Sequence, residues 1–393
     1  MATPNRISRE KLPLTVWNLI EAEAQRKIKE GDSVSLVQIG DTFLPMLNIL
    51  KEPVEDEDKL FPLINRYSDT FGEPPFREKV LEKVQIKNHL PANNIGCIQI
   101  TSGATGGLFC AFRRLVEPGG EVLTLAPYWS ILRQVAEASG VRLVEVPFYE
   151  RLAENPDEDL FSLLDPYRTE RTQGIYLNTP SNPTGLILTR EQLQSLVEYA
   201  SRYDLWIFSD EAYEDFIWEG IEHISIGSVS GAWERTLSVY TFSKSLGISG
   251  LRVGYVVAPE WVISQINRAV VGSTYQPSRL AQLYAYRGLL RLEGAVNILR
   301  QAYYPMYRWV KENLEIKSLP SKGGFYFFVH LGKDWGKLSA MEQVRRMLDG
   351  GVALAPGEYF GKNYREWARL CFTVLPLEEI QVCVERLNKL RGC

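Results

Sequence analysis

T-F-S-K-S-L-G-I-S-G-L-R-V-G, residues 241–254, places one lysine among hydroxyl side chains and glycines. Lys244 is followed eight residues later by Arg252. Apolar, β-branched runs at 237–240 and 253–258 predict a strand on each side. A lysine held between strands suits a desolvated amine of lowered pKa, which can form a Schiff base with a carbonyl group. The alternative is a solvated loop lysine.

The composition predicts a two-domain globular protein. The 393 residues are 45% hydrophobic and 23% charged, which is ample for a sizeable core. A net charge of −4 gives no sign of a nucleic-acid-binding surface. The sequence begins without the profile of a signal peptide, and no apolar run approaches membrane-spanning length. We therefore expect a cytoplasmic protein with neither nucleic-acid nor membrane partners.

Cysteine and histidine usage points away from disulfides and metals. The five cysteines are an odd number without a C-x-x-C motif, which is typical of reduced thiols in the cytoplasm. The three histidines stand far apart and form no H-x-x-x-H or Cys/His cluster. No metal site is expected.

Strands and helices alternate through the middle of the chain. Apolar strands are predicted at 95–100, 121–126, 141–147, 174–177 and 205–209, with helical stretches between them. This rhythm predicts an α/β fold with a mainly parallel sheet between helices. Short strands from residue 316 onward predict a smaller α+β unit. Ligands of parallel sheets bind at the carboxyl ends of the strands, where the motifs below fall.

The first strand-end motif is T-S-G-A-T-G-G, residues 101–107, which opens a helix. Small residues at such a turn let backbone N–H groups approach an anion, and the helix N-terminus favours negative charge. The motif lacks the lysine of a P-loop and is not G-x-G-x-x-G, so a nucleotide site is a poor match. A tight turn alone would also need glycine.

Two further motifs follow buried strands: N-T-P-S-N-P-T-G at 178–185 and S-D-E-A-Y at 209–213. Asp210 comes directly after an apolar run, where a carboxylate is costly unless it meets a cation or hydrogen-bond donors. The alternatives are a simple turn for the first motif, a helix N-cap for Asp210 and a core position for Tyr213.

Together these motifs resemble the pyridoxal-phosphate (PLP) dependent aminotransferases of class I/II, which have the aspartate-aminotransferase-like fold type I. The resemblance covers about residues 15–390. It implies a large PLP-binding domain at 46–287, with a mainly parallel sheet between helices. It also implies a smaller α+β domain that combines residues 1–45 with 288–393.

The resemblance also implies the cofactor contacts. Lys244 would form the Schiff base with pyridoxal 5'-phosphate, Asp210 would pair with the pyridinium nitrogen, and Tyr213 would donate to the phenolic oxygen. These three would be the catalytic residues. Tyr128, rather than Trp129, would stack on the ring. The remaining cofactor-binding residues would be Gly103, Ala104, Thr105, Thr241 and Arg252 at the phosphate and Asn182 at the phenolic oxygen.

The same resemblance assigns the substrate and the partner subunit. Arg369, in an alternating segment, would clamp the substrate α-carboxylate beside Asn182 and the backbone of Gly40; a surface ion pair is the alternative. Tyr67 would reach the phosphate in the partner subunit of a homodimer. No second arginine is assignable to a distal carboxylate. The charge of Asp41, next to Gly40, would by itself favour a basic donor side chain, but the family tolerates acids at this position without that preference.

The implied function is transfer of the α-amino group of an amino acid to a keto acid, in amino acid metabolism and within a biosynthetic process. The fold alone does not select this reaction. One alternative is a PLP-dependent lyase or cyclase, C–S lyase-like or capreomycidine-synthase-like. Another is a non-catalytic domain of the same fold that senses ligands.

Overall fold

The computed structural model describes residues 16–62, 64–220 and 222–390. Residues 1–15 and 391–393 of the predicted small domain lie outside the described residues, as do Leu63 and Ile221. The α-helices are α1 (Val16–Lys29), α2 (Glu57–Leu60), α3 (Pro74–Ile86), α4 (Gly103–Leu115), α5 (Leu132–Ser139), α6 (Tyr149–Glu154), α7 (Leu160–Leu164), α8 (Arg190–Arg202), α9 (Phe242–Ser245), α10 (Glu260–Ser273), α11 (Arg279–Leu289), α12 (Leu292–Asn313), α13 (Ala340–Asp349) and α14 (Leu377–Lys389).

The strands of the described residues form sheets of two, three and seven strands. Short 3₁₀ turns connect several of them. The strands are β1 (Ser35–Leu36), β2 (Ile98–Thr101), β3 (Glu121–Ala126), β4 (Arg142–Pro147), β5 (Thr172–Asn178), β6 (Trp206–Asp210), β7 (Thr236–Thr241), β8 (Gly254–Val257), β9 (Tyr326–His330), β10 (Val352–Ala353), β11 (Ala355–Pro356) and β12 (Trp367–Cys371).

The seven-stranded sheet has the order β2-β8-β7-β6-β5-β3-β4. Its strands from β7 to β4 pair in parallel, whereas β8 runs antiparallel to both neighbours. Strands β3, β7 and β8 are buried along their whole length, as expected for a sheet that is covered on both faces. The predicted α/β fold with a mainly parallel sheet is confirmed.

Helices cover both faces because side chains alternate between the faces along each strand. In β6, Phe208 packs in the cluster formed with α4, α5 and α10 on one face. Ile207 packs with α8 in the cluster on the other face. Helices α3 and α11 cover the same second face near β2 and β8. The apolar run of each strand therefore supplies two cores.

A further apolar cluster, the small-unit core, joins α1, α12, α13 and α14 to the three-stranded sheet. This antiparallel sheet has the order β11-β12-β9. Ser35 and Leu36 of β1 pair in parallel with Val352 and Ala353 of β10, so that the N-terminal segment lies against the C-terminal part. The smaller α+β unit is as predicted, and the limits 46–287, 1–45 and 288–393 stay a prediction.

None of the described helices combines the length and the apolar composition that crossing a bilayer requires.

The core position of Phe208 can be tested by truncation. Phe208 is fully buried, and its ring meets the Phe112 ring edge-on at a centroid distance of 4.9 Å. Phe208→Ala removes this contact and leaves a cavity, so we expect a loss of about 3–5 kcal/mol in the free energy of unfolding, measured by urea denaturation. Ile86→Ala, at a side chain that is 76% exposed on α3, should cost less than about 1 kcal/mol. Equal losses would contradict the core position.

Candidate active site

A cavity of about 310 Å³ lies where the parallel strands end. Asn178, Asp210 and Thr241 are the last residues of β5, β6 and β7, and all three line it. Their convergence follows from parallel pairing, since the carboxyl ends of neighbouring strands meet at one edge of the sheet. The predicted site residues that line this cavity are Gly40, Ala104, Thr105, Asn182, Asp210, Tyr213, Thr241, Lys244, Arg252 and Arg369.

Lys244 lies on α9, a four-residue helix directly after β7. Thr241 caps this helix by accepting the backbone N–H of Ser243 at 3.1 Å. The Nζ atom of Lys244 donates to the carbonyl of Gly40 at 2.6 Å. Burial lowers the pKa of Lys244, and the negative charge of Asp41 opposes this shift. An amine of lowered pKa is more often neutral, and therefore nucleophilic, near neutral pH.

Asp210 holds a buried carboxyl at the end of β6. Its Oδ2 accepts the hydroxyl of Tyr176 at 2.9 Å, and its Oδ1 accepts the backbone N–H of Ala212 at 3.2 Å. Burial raises the pKa of Asp210 to about 6, against the lowering effect of the Tyr176 hydrogen bond. Since neither partner is a cation, the anionic form of Asp210 fits a cationic group of a ligand.

The opposite end of the cavity suits an anion. Gly103 opens α4 with φ +69°, and a Cβ there would lie 2.8 Å from Nη2 of Arg252. The left-handed backbone conformation therefore favours glycine at this position. Ala104, Thr105 and Arg252 line the same part of the cavity, at the N-terminus of α4. Backbone N–H groups and a guanidinium together favour a phosphate-like ligand.

Arg369 is a buried guanidinium on β12. Its Nη1 donates to Oδ1 of Asn182 at 2.8 Å, and its Nη2 donates to the carbonyl of Gln38 at 2.6 Å. The buried Nε has no hydrogen-bond partner among the described residues. The guanidinium also lies 4.4 Å from the ring centroid of Tyr326. Because these hydrogen-bond partners are neutral, Arg369 can accommodate a ligand carboxylate.

Asn182 connects Arg369 to Tyr213. A guanidinium only donates, so Oδ1 of Asn182 faces Arg369 and its Nδ2 faces the Tyr213 hydroxyl, at 3.3 Å. The Tyr213 hydroxyl lies 2.6 Å from that of Tyr326. Burial raises the pKa of Tyr213 well above its ordinary value. The hydroxyl therefore stays protonated and can donate a hydrogen bond.

The structure contradicts the prediction that Tyr128 faces the cofactor ring. The Tyr128 hydroxyl donates to Glu145 at 2.9 Å and accepts from Arg133 at 3.0 Å, and the side chain is buried away from the cavity lining. Trp129 lines the cavity instead. Successive side chains of extended chain point to opposite sides, so the sequence could not decide between these neighbours.

Tyr67 is not part of the cavity wall of its own chain. Its side chain is 81% exposed, and its ring packs on that of Tyr275 at a centroid distance of 5.0 Å. Its contact with a partner subunit stays a prediction.

Several cavity residues were assigned no role from the sequence, among them Trp17, Ser243 and Tyr326. Trp17 lies on α1, far from the other motifs in the chain. Tyr326 shares a face of the three-stranded sheet with Arg369, because Arg369 pairs with Phe328 and Cys371 pairs with Tyr326. The sequence offered one feature that could have identified Tyr326 as a site residue: it is a tyrosine in an otherwise apolar strand.

Comparisons with known proteins agree with this geometry. The profile of the family described as aminotransferase class I and II matches residues 42–387. The chain is 31% identical over 333 residues to an aspartate aminotransferase of Pyrococcus abyssi, covering 83% of this chain and 84% of that protein. It is 32% identical over 332 residues to the aromatic-amino-acid aminotransferase 2 of Thermococcus litoralis, with coverage of 83% and 84%.

Solved structures show the same similarity. A double mutant of Thermus thermophilus aspartate aminotransferase has a TM-score of 0.84 and 26% identity, covering 99% of this chain and 100% of that one. The relatives favour amino-group transfer over the lyase, cyclase and sensor alternatives. The chain therefore belongs to the class I and II aminotransferase family and is a PLP-dependent enzyme that transfers amino groups between amino acids and keto acids.

Proposed function

We propose that the enzyme takes its amino group from a neutral amino acid with a large apolar side chain, and that Lys244 holds the cofactor. The observation that carries this proposal is the composition of the cavity lining. Lys244 and the buried Arg369 line the cavity together with aromatic and aliphatic side chains. Such a cavity offers one carboxylate site beside the amine and an apolar surface for the rest of the donor.

The residues around the cavity fit PLP at four points. Gly103 leaves room for the Arg252 guanidinium in the part of the cavity that suits an anion. This part suits the phosphate of PLP. The buried carboxyl of Asp210, which has no cation among its described hydrogen-bond partners, suits the ring nitrogen. Lys244 suits the aldehyde carbon, and Trp129 is the aromatic residue of the wall that is available to the ring. The phosphate group would also be held by Ala104, Thr105 and Thr241.

Bound PLP supplies an electron sink that allows the substrate Cα–H bond to ionise. Lys244 would hold the cofactor covalently and, once displaced by the substrate amine, accept the proton of the substrate Cα. Its lowered pKa favours the neutral form that this step needs. Asp210 would keep the ring nitrogen protonated, and Tyr213 and Asn182 would donate to the phenolic oxygen.

The charges of the cavity favour a donor with one carboxylate. Lys244, Arg252 and Arg369 are the cations among the described lining residues. The first would hold the cofactor, the second its phosphate and the third the α-carboxylate. A distal carboxylate would therefore lack a cationic partner to offset its loss of hydration.

The remaining wall supports an apolar donor side chain. Trp17, Ile39 and Ile131 line the cavity in addition to the residues assigned to the cofactor and the carboxylate. The carboxylate of Asp41 is not part of the lining and accepts hydrogen bonds from the Ser249 hydroxyl and the Thr42 N–H, each at 3.0 Å. A basic donor, which Asp41 would favour, is thus less well supported.

We also propose that the enzyme is a cytoplasmic homodimer. The exposed pair Tyr67 and Tyr275 is an aromatic surface suited to contact with a second copy, as predicted for Tyr67. The four described cysteines are free, which suits a reducing compartment.

Removal of the Lys244 amine tests its role. Lys244→Ala should lose the visible band of lysine-bound PLP and reduce kcat by at least about a thousandfold, because the covalent contact and the base are lost together. Absorption spectra and steady-state rates measure both effects. Lys337→Ala, at a lysine whose side chain is 76% exposed, should match the wild type. Full turnover by Lys244→Ala would refute the assignment.

The pKa of Asp210 makes the stability of the cofactor-free protein depend on pH. Since folding raises this pKa to about 6, the favourable contribution of the neutral carboxyl is present below about pH 4 and is lost as the pH rises through about 6. Asp210→Asn stays neutral. The free energy of unfolding of Asp210→Asn, relative to that of the wild type, should therefore rise by about 2–3 kcal/mol between pH 4 and pH 7.

Urea denaturation of the cofactor-free proteins at several pH values measures this difference. The exposed Asp157 supplies the control, since Asp157→Asn should show no such trend. A pH-independent difference for Asp210→Asn would show that Asp210 is already ionised at low pH.

The donor preference can be measured with a panel of amino acids and one keto-acid acceptor. We expect kcat/KM for phenylalanine, leucine or methionine to exceed that for aspartate by at least about tenfold, since the distal carboxylate finds no cation. Preference for aspartate would contradict the proposed donor class. Preference for arginine or lysine that Asp41→Asn abolishes would instead favour the basic donor.

A further inference from the structure

Tyr326 points its hydroxyl into the group formed by Tyr213, Asn182 and Arg369. Of the described residues, Tyr213 is its hydrogen-bond partner, at 2.6 Å. A Cβ at position 40 would lie 1.9 Å from this hydroxyl, so the hydroxyl occupies space that glycine leaves open. The ring of Tyr326 lies 4.4 Å from the guanidinium of Arg369. Tyr326 thus contacts two proposed functional residues at once.

The donors and acceptors of this group can be counted. Arg369 donates to Asn182, which orients the amide so that its Nδ2 donates to the Tyr213 hydroxyl. A tyrosine hydroxyl has one proton to donate and can also accept hydrogen bonds. If Tyr213 donates its proton to the phenolic oxygen of PLP, the proton between the two tyrosines has to come from Tyr326.

We propose that Tyr326 is a positioning residue that donates to the Tyr213 hydroxyl and so directs the single proton of Tyr213 to the phenolic oxygen of PLP. This inference rests on the proposed role of Tyr213. Because hydrogen bonds in a chain polarise one another, the donor strength of Tyr213 depends on Tyr326. Burial raises the pKa of Tyr326, which keeps its hydroxyl protonated for this purpose.

The ring of Tyr326 has a separate effect on Arg369. It offers an aromatic face to a guanidinium that would bind the substrate carboxylate. Tyr326→Phe removes the hydroxyl and keeps the ring, whereas Tyr326→Leu removes both. The two variants therefore separate the effect on Tyr213 from the effect on Arg369.

The test is the pH dependence of the absorption spectrum of the PLP-loaded enzyme. A hydrogen bond to the phenolic oxygen stabilises its negative charge, most of all when the Lys244 nitrogen has lost its proton. A weaker donor should therefore raise the midpoint of the spectral change. We expect Tyr326→Phe to raise it by about half a unit and Tyr213→Phe to raise it further. Tyr326→Phe should add no shift in the Tyr213→Phe background.

Substrate kinetics complete the test. Tyr326→Phe should lower kcat with KM for the donor within about twofold, whereas Tyr326→Leu should also raise KM, because Arg369 loses its aromatic neighbour. The control is Tyr199→Phe, which removes a hydroxyl that donates to Asp165 at 3.0 Å, away from the cavity. Its spectrum should match the wild type, and thermal denaturation checks that each variant is folded.

Three results would overturn the proposal, and they differ in meaning. A shift by Tyr213→Phe without one by Tyr326→Phe, or equal shifts by Tyr326→Phe in both backgrounds, would refute the action of Tyr326 through Tyr213. An unchanged midpoint in Tyr213→Phe would refute the role of Tyr213 itself, and the proposal with it.

Discussion

Asp210 places a carboxyl at the end of a buried strand without a cation among its described hydrogen-bond partners, and the chemistry of the cavity depends on this. Lys244 and Arg369 are also buried, and the acceptors of their described hydrogen bonds are neutral: backbone carbonyls and a side-chain amide. None of the three forms an ion pair with another described residue, although the negative charge of Asp41 acts on Lys244, so each keeps part of its desolvation cost. A ligand with complementary charges would reduce all three costs, so binding should stabilise the folded protein.

The residue after Asp210, Glu211, helps to fix the position of Asp210. Glu211 points to the opposite side of the strand end, where it accepts hydrogen bonds from Ser225 and Tyr240. Burial alone would raise the pKa of Glu211, but the hydrogen bond from His223 and others lower it. Two adjacent buried acids thus have pKa shifts of opposite direction. Glu211, whose carboxylate accepts several hydrogen bonds from the protein, holds the end of the strand in place. Asp210 is left for the ligand.

The sequence was sufficient for features that depend on short-range patterns. Strand-helix alternation predicted the parallel sheet, and the motifs at the strand ends predicted Asp210, Asn182 and Lys244 in one cavity. It failed where a single residue step decides the direction of a side chain, as for Tyr128 and Trp129. It also missed Trp17 and Tyr326, because their contacts arise from the packing of distant segments, which leaves no local pattern.

Because of these distant segments, the cavity lies between two packed regions. Gly40, Tyr326 and Arg369 approach from the small-unit side, and Lys244, Tyr213 and Asn182 approach from the central sheet. Trp17 packs against both the small-unit core and one core of the sheet. A donor held by Arg369 at its carboxylate and placed near Lys244 would add one more contact across the same joint. Substrate binding and the relative position of the two regions are therefore coupled, since each contact across the cavity depends on that position.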